Sequence, residues 1–254
     1  MTLRAELREK ITRFVEENII EYQQARVHAL TELKLSTLLA GKNPYLFRAK
    51  NLNIAGDLIS ALLSARMSSA EEGAFGRFLE ELAIFVATET SNAETSGIAQ
   101  KAGVKGIDIE LMRDGKRYLI AVKSGKQWSN ASSMRQQKQN FIEAVRVIKQ
   151  SKHSLELVPT LGICYGKFKT VHNGLFLHIG GQSFWHLLSG DLDFYTEVLE
   201  PLGHQAEVYD AAHKAELAKT HNRLTREFIS EFCSEDGAVD WVKLTRAVSG
   251  NMNS

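Results

Sequence analysis

The chain has 254 residues, 44% of them hydrophobic and 24% charged, with 31 basic against 30 acidic side chains and a formal net charge of +1. That length buries a full core, as one large domain or one with an added lobe, and a charge so near balance says nothing by itself about nucleic acid. No run of about 18 apolar residues occurs, so no membrane-spanning helix is expected. The charged opening from Met1 to Glu9 lacks the apolar segment of a signal peptide, and Cys164 and Cys233, far apart and each following apolar sequence, read as buried free thiols of a reducing cytoplasm.

Taken in order, Leu7, Ile11, Phe14, Val15, Ile19 and Tyr22 recur at helical spacing and predict a helix over 3–38. Gly41 and Pro44 predict a break over Lys42–Phe47. A short helix is expected at 54–67 and a longer one at about 69–89, opened by Ser68 and Ser69 with Glu71 and Glu72 in its first turn. In the longer helix Phe75, Phe78, Leu79, Leu82 and Val86 make an apolar stripe. At about 100° per residue, Glu80 falls off that stripe among Gly73, Gly76, Ala83, Ile84 and Ala87, small residues that suggest close approach of another element, whereas Glu81 falls near Ala70, Ala74 and Arg77 and faces solvent.

A hairpin is predicted over about 105–124, where two alternating apolar runs flank Asp114-Gly115. A polar loop, Ser124 to Ser133, leads to a helix at about 133–150 carrying Phe141, Ile142, Val145 and Ile148. Strands are expected at 155–165 and 174–180, and helices from Gln182 onward, broken at Gly190, Pro201–Gly203 and Asp236–Gly237. The order implies a mixed α/β or α+β sheet with a helical periphery. We read it as a single domain over 1–254, with a helical lobe at 1–68, a core at 69–181 and a helical region at 182–254. The eight histidines show no metal-ligand spacing and no glycine-rich phosphate loop is present, so neither a histidine metal site nor a nucleotide is expected.

The chemistry points to the hairpin. Strand alternation puts Asp108, Glu110 and Met112 on one face of the first run, and Arg117, Leu119, Ala121 and Lys123 on one face of the second, with Ile107, Ile109, Leu111, Tyr118, Ile120 and Val122 on the apolar side. An acid at the head of one strand and a lysine at the tail of its partner then meet, as a metal-dependent phosphodiesterase requires: the acid holds a divalent cation against a phosphate, and the lysine steadies the attacking water and the growing negative charge. Simple cross-strand pairing is the plainer reading of such a pair. Residues 113–138 hold Arg113, Lys116, Arg117, Lys123, Lys126, Arg135 and Lys138 against Asp114 alone, seven minus one for a local +6 around the proposed site.

The loop and helix that follow Lys123 are rich in donors. Ser124, Lys126, Trp128, Asn130, Ser132 and Ser133 suit phosphate oxygens, although Asn130 and the serines equally suit a helix cap. Arg135, Gln136, Gln137 and Lys138 open the helix with types that pair with base edges and phosphates.

An acid, a hairpin and then x-x-Lys resembles the PD-(D/E)xK nuclease superfamily. Asn43–Phe47, Phe75–Phe85, Gly106–Glu110, Val122–Gly125 with Trp128 and Asn130, Cys164–Gly166, Gly181–Trp185, Ser189-Gly190, Tyr195–His204 and Asp240-Trp241 together resemble the PmeII-type family of type II restriction endonucleases, over about 20–248. The resemblance implies a restriction-endonuclease-like core and a Mg2+-dependent hydrolase that cuts double-stranded DNA at a short specific site as a homodimer, within a restriction-modification system. It departs at Ala121, where the superfamily pattern carries Asp or Glu. Glu80 and Glu110 are the candidates to replace that acid beside Asp108 and Lys123, with the Val122 carbonyl as a further metal ligand; Glu143, on the next helix, is the least suited. The competing expectations are a DNA-binding protein with an impaired nuclease core, for which Ala121 speaks, and a repair or structure-specific nuclease.

Overall fold

The Asp114-Gly115 pair turns the chain as its composition predicts. Both residues take positive φ, 52° and 70°, the mirror-image turn whose twist matches that of the flanking strands. Arg113 faces Lys116 across the two-residue loop, and the ladder continues through Met112–Arg117, Leu111–Tyr118 and Glu110–Leu119 to Ile109–Ile120. These strands, β2 (Ile109–Arg113) and β3 (Lys116–Lys123), are the seed of a six-stranded sheet in a computed structural model that describes residues 3–93, 98–125, 130–150 and 155–250. The other strands are β1 (Ile98–Lys101), β4 (Glu156–Ile163), β5 (Val171–His172) and β6 (Leu177–Gly180), in the order β1-β2-β3-β4-β6-β5. β4 runs parallel to β3 and to β6, and the remaining pairs are antiparallel. Helix α5 (Ala131–Lys149) lies in the connection between β3 and β4, as a parallel pair requires.

Both faces of the sheet are covered. Ile109, Leu111, Ile120 and Val122 share one buried cluster with Phe78, Leu82 and Val86 of α4 (Ala55–Ala93) and with Ile11 and Val15 of α1 (Leu3–Thr31). Leu119, Ala121, Leu161 and Ile163 share another with Phe141, Ala144 and Ile148 of α5. The expected alternation holds from Ile109 onward and fails before it. Ile107 belongs to the α5 cluster, not to the side of Ile109, so the chain changes face at Asp108. The face expected to be polar is apolar as well, because α5 roofs it.

Among the helices, the serine pair at 68–69 begins nothing: α4 runs unbroken through it for 39 residues. The predicted break at Pro44 is instead the start of α3 (Pro44–Ala49). Asn43 caps that helix by accepting from the Leu46 N–H, and proline suits the first helical turn, where its missing donor is not needed. The first predicted helix stops at Thr31, and α2 (Leu35–Leu39) follows. The C-terminal helices are α6 (Gln182–Ser189), closed by Gly190 in the left-handed region, α7 (Phe194–Glu197), α8 (Leu199–Leu202), α9 (Ala206–Phe232) and α10 (Trp241–Ser249). The short strands β1 and β5 were not predicted, being too brief to show a period.

The chain forms two compact units. One comprises Met1–Ile20 and Phe75–His204 and holds the sheet. The other comprises Glu21–Ala74 and Gln205–Ser254 and is helical, built around Leu38, Leu58, Ile59, Leu62, Leu224 and Phe228. No helix among the described residues is long and apolar enough to cross a membrane.

Within the α5 face of the sheet, Glu110 and Arg117 form a buried ion pair at 2.6 Å, each side chain only 8% exposed. The Nε and Nη1 atoms of Arg117 are buried without a hydrogen-bond partner. Glu110 is therefore what makes the buried guanidinium tolerable. Glu110→Ala strands that charge and is expected to cost about 3–5 kcal/mol, read as a lowered urea midpoint at unchanged slope.

Candidate active site

The acid is built first. Gly106 sits at φ +76°, and a Cβ there would lie 2.0 Å from Nδ2 of Asn140, so the position demands glycine on both counts. From α5, Gln137 donates its Nε2–H to the Gly106 carbonyl at 2.9 Å. The chain next crosses Asp108, whose N–H donates to the Ile120 carbonyl at 2.8 Å and whose carbonyl accepts from Ala102 N–H at 3.1 Å. The Asp108 carboxylate then accepts the Val122 N–H at 2.7 Å. The turn at Gly106, the clamp from α5 and this bond to β3 together determine where the carboxylate stands.

Glu80 of α4 is brought to it. Its carboxyl pKa is raised, first by burial and then by the charge of Asp108, with a side-chain hydrogen bond to Asp108 adding to the shift; Lys123, and then Lys101, oppose it. Glu80 therefore lies against Asp108, and the Lys123 ammonium lies within electrostatic reach of it. The small residues around Glu80 permit this. At Gly76, one turn before, a Cβ would already be 3.4 Å from Ser124 Oγ, the residue after Lys123, while Ala83 and Ala87 are fully buried. Cys164, at the end of β4, lies behind the group; burial first, and then the Glu80 charge, push its thiol up to about 12, so it stays protonated and inert.

The structure thus brings together Asp108, Lys123 and Glu80. It gives Glu110 a different partner, Arg117. Glu143 is exposed on α5 and accepts from Gln139 at 3.1 Å. Ala121 is fully buried in the α5 cluster, so the place where the superfamily pattern expects an acid is part of an apolar core, and the carboxyl group that meets Asp108 belongs to Glu80 of α4.

Of the residues expected to meet DNA, Lys126 and Trp128 lie outside the described residues. Asn130 caps α5, accepting from the Ser133 N–H at 2.9 Å and its hydroxyl at 3.0 Å. Ser132, Arg135 and Lys138 are exposed and Ser124 and Ser133 half-buried. Gln136 donates to Asn140 at 3.0 Å. Gln137 is buried rather than facing outward. Its partner is a main-chain carbonyl far away in sequence, which no local pattern reveals. The local +6 divides as well. Arg113, Lys116 and Arg117 lie at the hairpin end of β3, about 23 Å of strand from Lys123, where they bond Leu187 O, Glu156 and Glu110.

The sheet order and flanking helices make a restriction-endonuclease-like fold, with the carboxyl pair and lysine at one end of β2 and β3. A sequence model of the type II restriction endonuclease EcoO109I family matches residues 9–210. The chain belongs to this family of type II restriction endonucleases. No curated protein matches it. The matched span contains Glu80, Asp108, Lys123 and the Gln137 clamp, so the endonuclease family and the polar cluster coincide.

Two outcomes follow from this geometry. A raised folded-state pKa means that the fold disfavours the ionised form of Glu80. That penalty is present above the raised value and vanishes below the ordinary carboxylate value, where folded and unfolded chains are both protonated. Glu80→Gln is therefore expected to raise Tm at neutral pH in EDTA, with the gain disappearing near about pH 4, as thermal melts across pH record. Gln137→Leu removes the clamp on Gly106. It is expected to lower stability by about 1 kcal/mol and to lower DNA cleavage by more than that loss explains, since Asp108 loses its register; melts and initial rates on the same preparations separate the two effects.

Proposed function

We propose that this restriction endonuclease hydrolyses phosphodiester bonds of double-stranded DNA at a short specific sequence, with a divalent cation, Mg2+, as its cofactor. The observation that carries the reading is the convergence of Glu80, Asp108 and Lys123 at one end of the sheet. Among the described residues no three acidic, histidine or cysteine side chains gather as a full metal-ligand set. Two neighbouring carboxyl groups, Glu80 and Asp108, nonetheless fit Mg2+, which takes one or two carboxylates and completes its shell with water and substrate oxygens. Glu80 and Asp108 would hold the ion, with the Val122 carbonyl as a further donor. When bound, it would neutralise the scissile phosphate and ease departure of the 3′ oxygen.

The protein's own groups supply the rest. Lys123 orients the water for in-line attack and offsets the charge that grows on the phosphate oxygens. The Val122 N–H fixes Asp108 so that its second oxygen keeps a constant direction. Glu110 stays with Arg117 and serves the sheet. Ser124, Ser132, Arg135 and Lys138 contact the phosphate backbone, with Lys126 and Trp128 in the intervening segment. A palindromic site calls for a two-fold homodimer, since symmetric cutting follows symmetric protein, and the helices at 3–38 and 182–248 offer the surfaces for it. The sequence blocks that resemble PmeII-type enzymes support a kinship with that group.

Plasmid and phage DNA digested with Mg2+ test the reading. Discrete bands that vanish in EDTA are the expected result, with Asp108→Asn inactive and Lys123→Met slowed about a hundredfold or more. A smear indicates a nuclease of other purpose. Intact DNA with retained binding indicates the impaired core that Ala121 suggests, and sinks the proposal.

A further inference from the structure

β3 and β4 are parallel and in register, Lys123 opposite Ile163, so whatever follows β4 emerges beside the catalytic lysine. The pairing extends past the strands: Cys164 N–H donates to the Lys123 carbonyl at 2.9 Å and Tyr165 N–H to the Ser124 carbonyl at 3.2 Å. The segment that emerges is Tyr165-Gly-Lys-Phe-Lys-Thr170. Its two lysines are exposed, and neither Lys167 nor Lys169 has an acidic partner among the described residues. Tyr165 is 61% exposed, yet its ring is seated: a Cβ at Gly125 would fall 2.3 Å from the Tyr165 hydroxyl oxygen.

The segment is held rather than free. Phe168 packs against the α5-side cluster and edge-on to His178, with ring centroids 5.1 Å apart. A Cβ at Gly180 would lie 2.4 Å from the Phe168 ring, so the end of β6 is open only to that ring. At Gly181 a Cβ would meet the Gly166 carbonyl at 2.6 Å. The residues flanking Phe168 on either side are the two lysines, displayed on an anchored ribbon at the end of the sheet that carries Lys123.

We propose that Tyr165, Lys167 and Lys169 form a second DNA-contacting element that grips the phosphate backbone beside the scissile bond; this rests on the nuclease reading above and specifies how that site takes hold of its substrate. Two exposed ammonium groups next to a site for a polyanion supply the charge complementarity, and the anchored backbone limits the entropy lost on contact. The contact is to backbone, so it carries affinity for duplex of any sequence and not site choice.

The decisive measurement is the salt dependence of binding. Full-length protein in EDTA is titrated against a fluorescein-labelled duplex that lacks any cleaved site, over a range of KCl. Each phosphate contact contributes about 0.9 to the slope of log K against log salt. The double variant Lys167→Gln, Lys169→Gln is therefore expected to lose about 2 from that slope and to bind more weakly at every salt concentration. The pair Lys167→Arg, Lys169→Arg keeps the slope, and both doubles keep the wild-type melting temperature. An unchanged slope in the glutamine double, with wild-type binding intact, overturns this proposal and leaves the nuclease reading standing. Wild-type protein that binds no duplex overturns both.

Discussion

Asp108 stands where the sheet changes face, and a single backbone N–H, that of Val122, decides which way its carboxylate points. Glu80 then arrives from α4, and burial and the nearby charge of Asp108 raise its pKa. Bringing two carboxyls together is unfavourable by itself. The turn at Gly106, the α5 clamp on its carbonyl and the small residues of α4 hold them there nonetheless. Burial, and then the charge of Asp108, raise the Glu80 pKa, and the fold tolerates that cost.

The layered architecture explains why the second acid comes from a helix. A sheet covered on both faces has little room for charge between its strands. The buried charges there, Glu110 and Arg117, pair with each other, and Ala121 is buried where α5 lies over the sheet. A carboxylate at the edge of α4 approaches Asp108 without entering either core. Asp108 and Glu110, two residues apart in sequence, are thus sorted by what lies above each of them.

The positive charge is sorted in the same manner along β3. At the hairpin end, Arg113, Lys116 and Arg117 are bound to a carbonyl and two carboxylates and are structural. At the other end the strand closes on Lys123, the N-terminus of α5 and the segment after β4. Ligands of open α/β sheets gather beyond the carboxyl ends of the parallel strands, which is where Lys123 lies.

Local patterns determined a good deal. The hairpin and its turn type follow from Asp114-Gly115 between alternating runs, the apolar stripe of α4 from helical spacing, and Asp108 with Lys123 from strand alternation. The small residues around Glu80 marked it as a helix acid approached by another element, which it is. These are all effects within a few residues. What only the tertiary structure decided are matters of which surface covers which. Glu110 became a structural ion and Gln137 a clamp. The face of Ala121 became core, the serine pair at 68–69 stayed inside one helix, and the basic segment after β4 came to lie beside Lys123. Each depends on a neighbour far away in the chain, and burial or pairing by such a neighbour changes the energy of a charged or polar group by more than any local preference does.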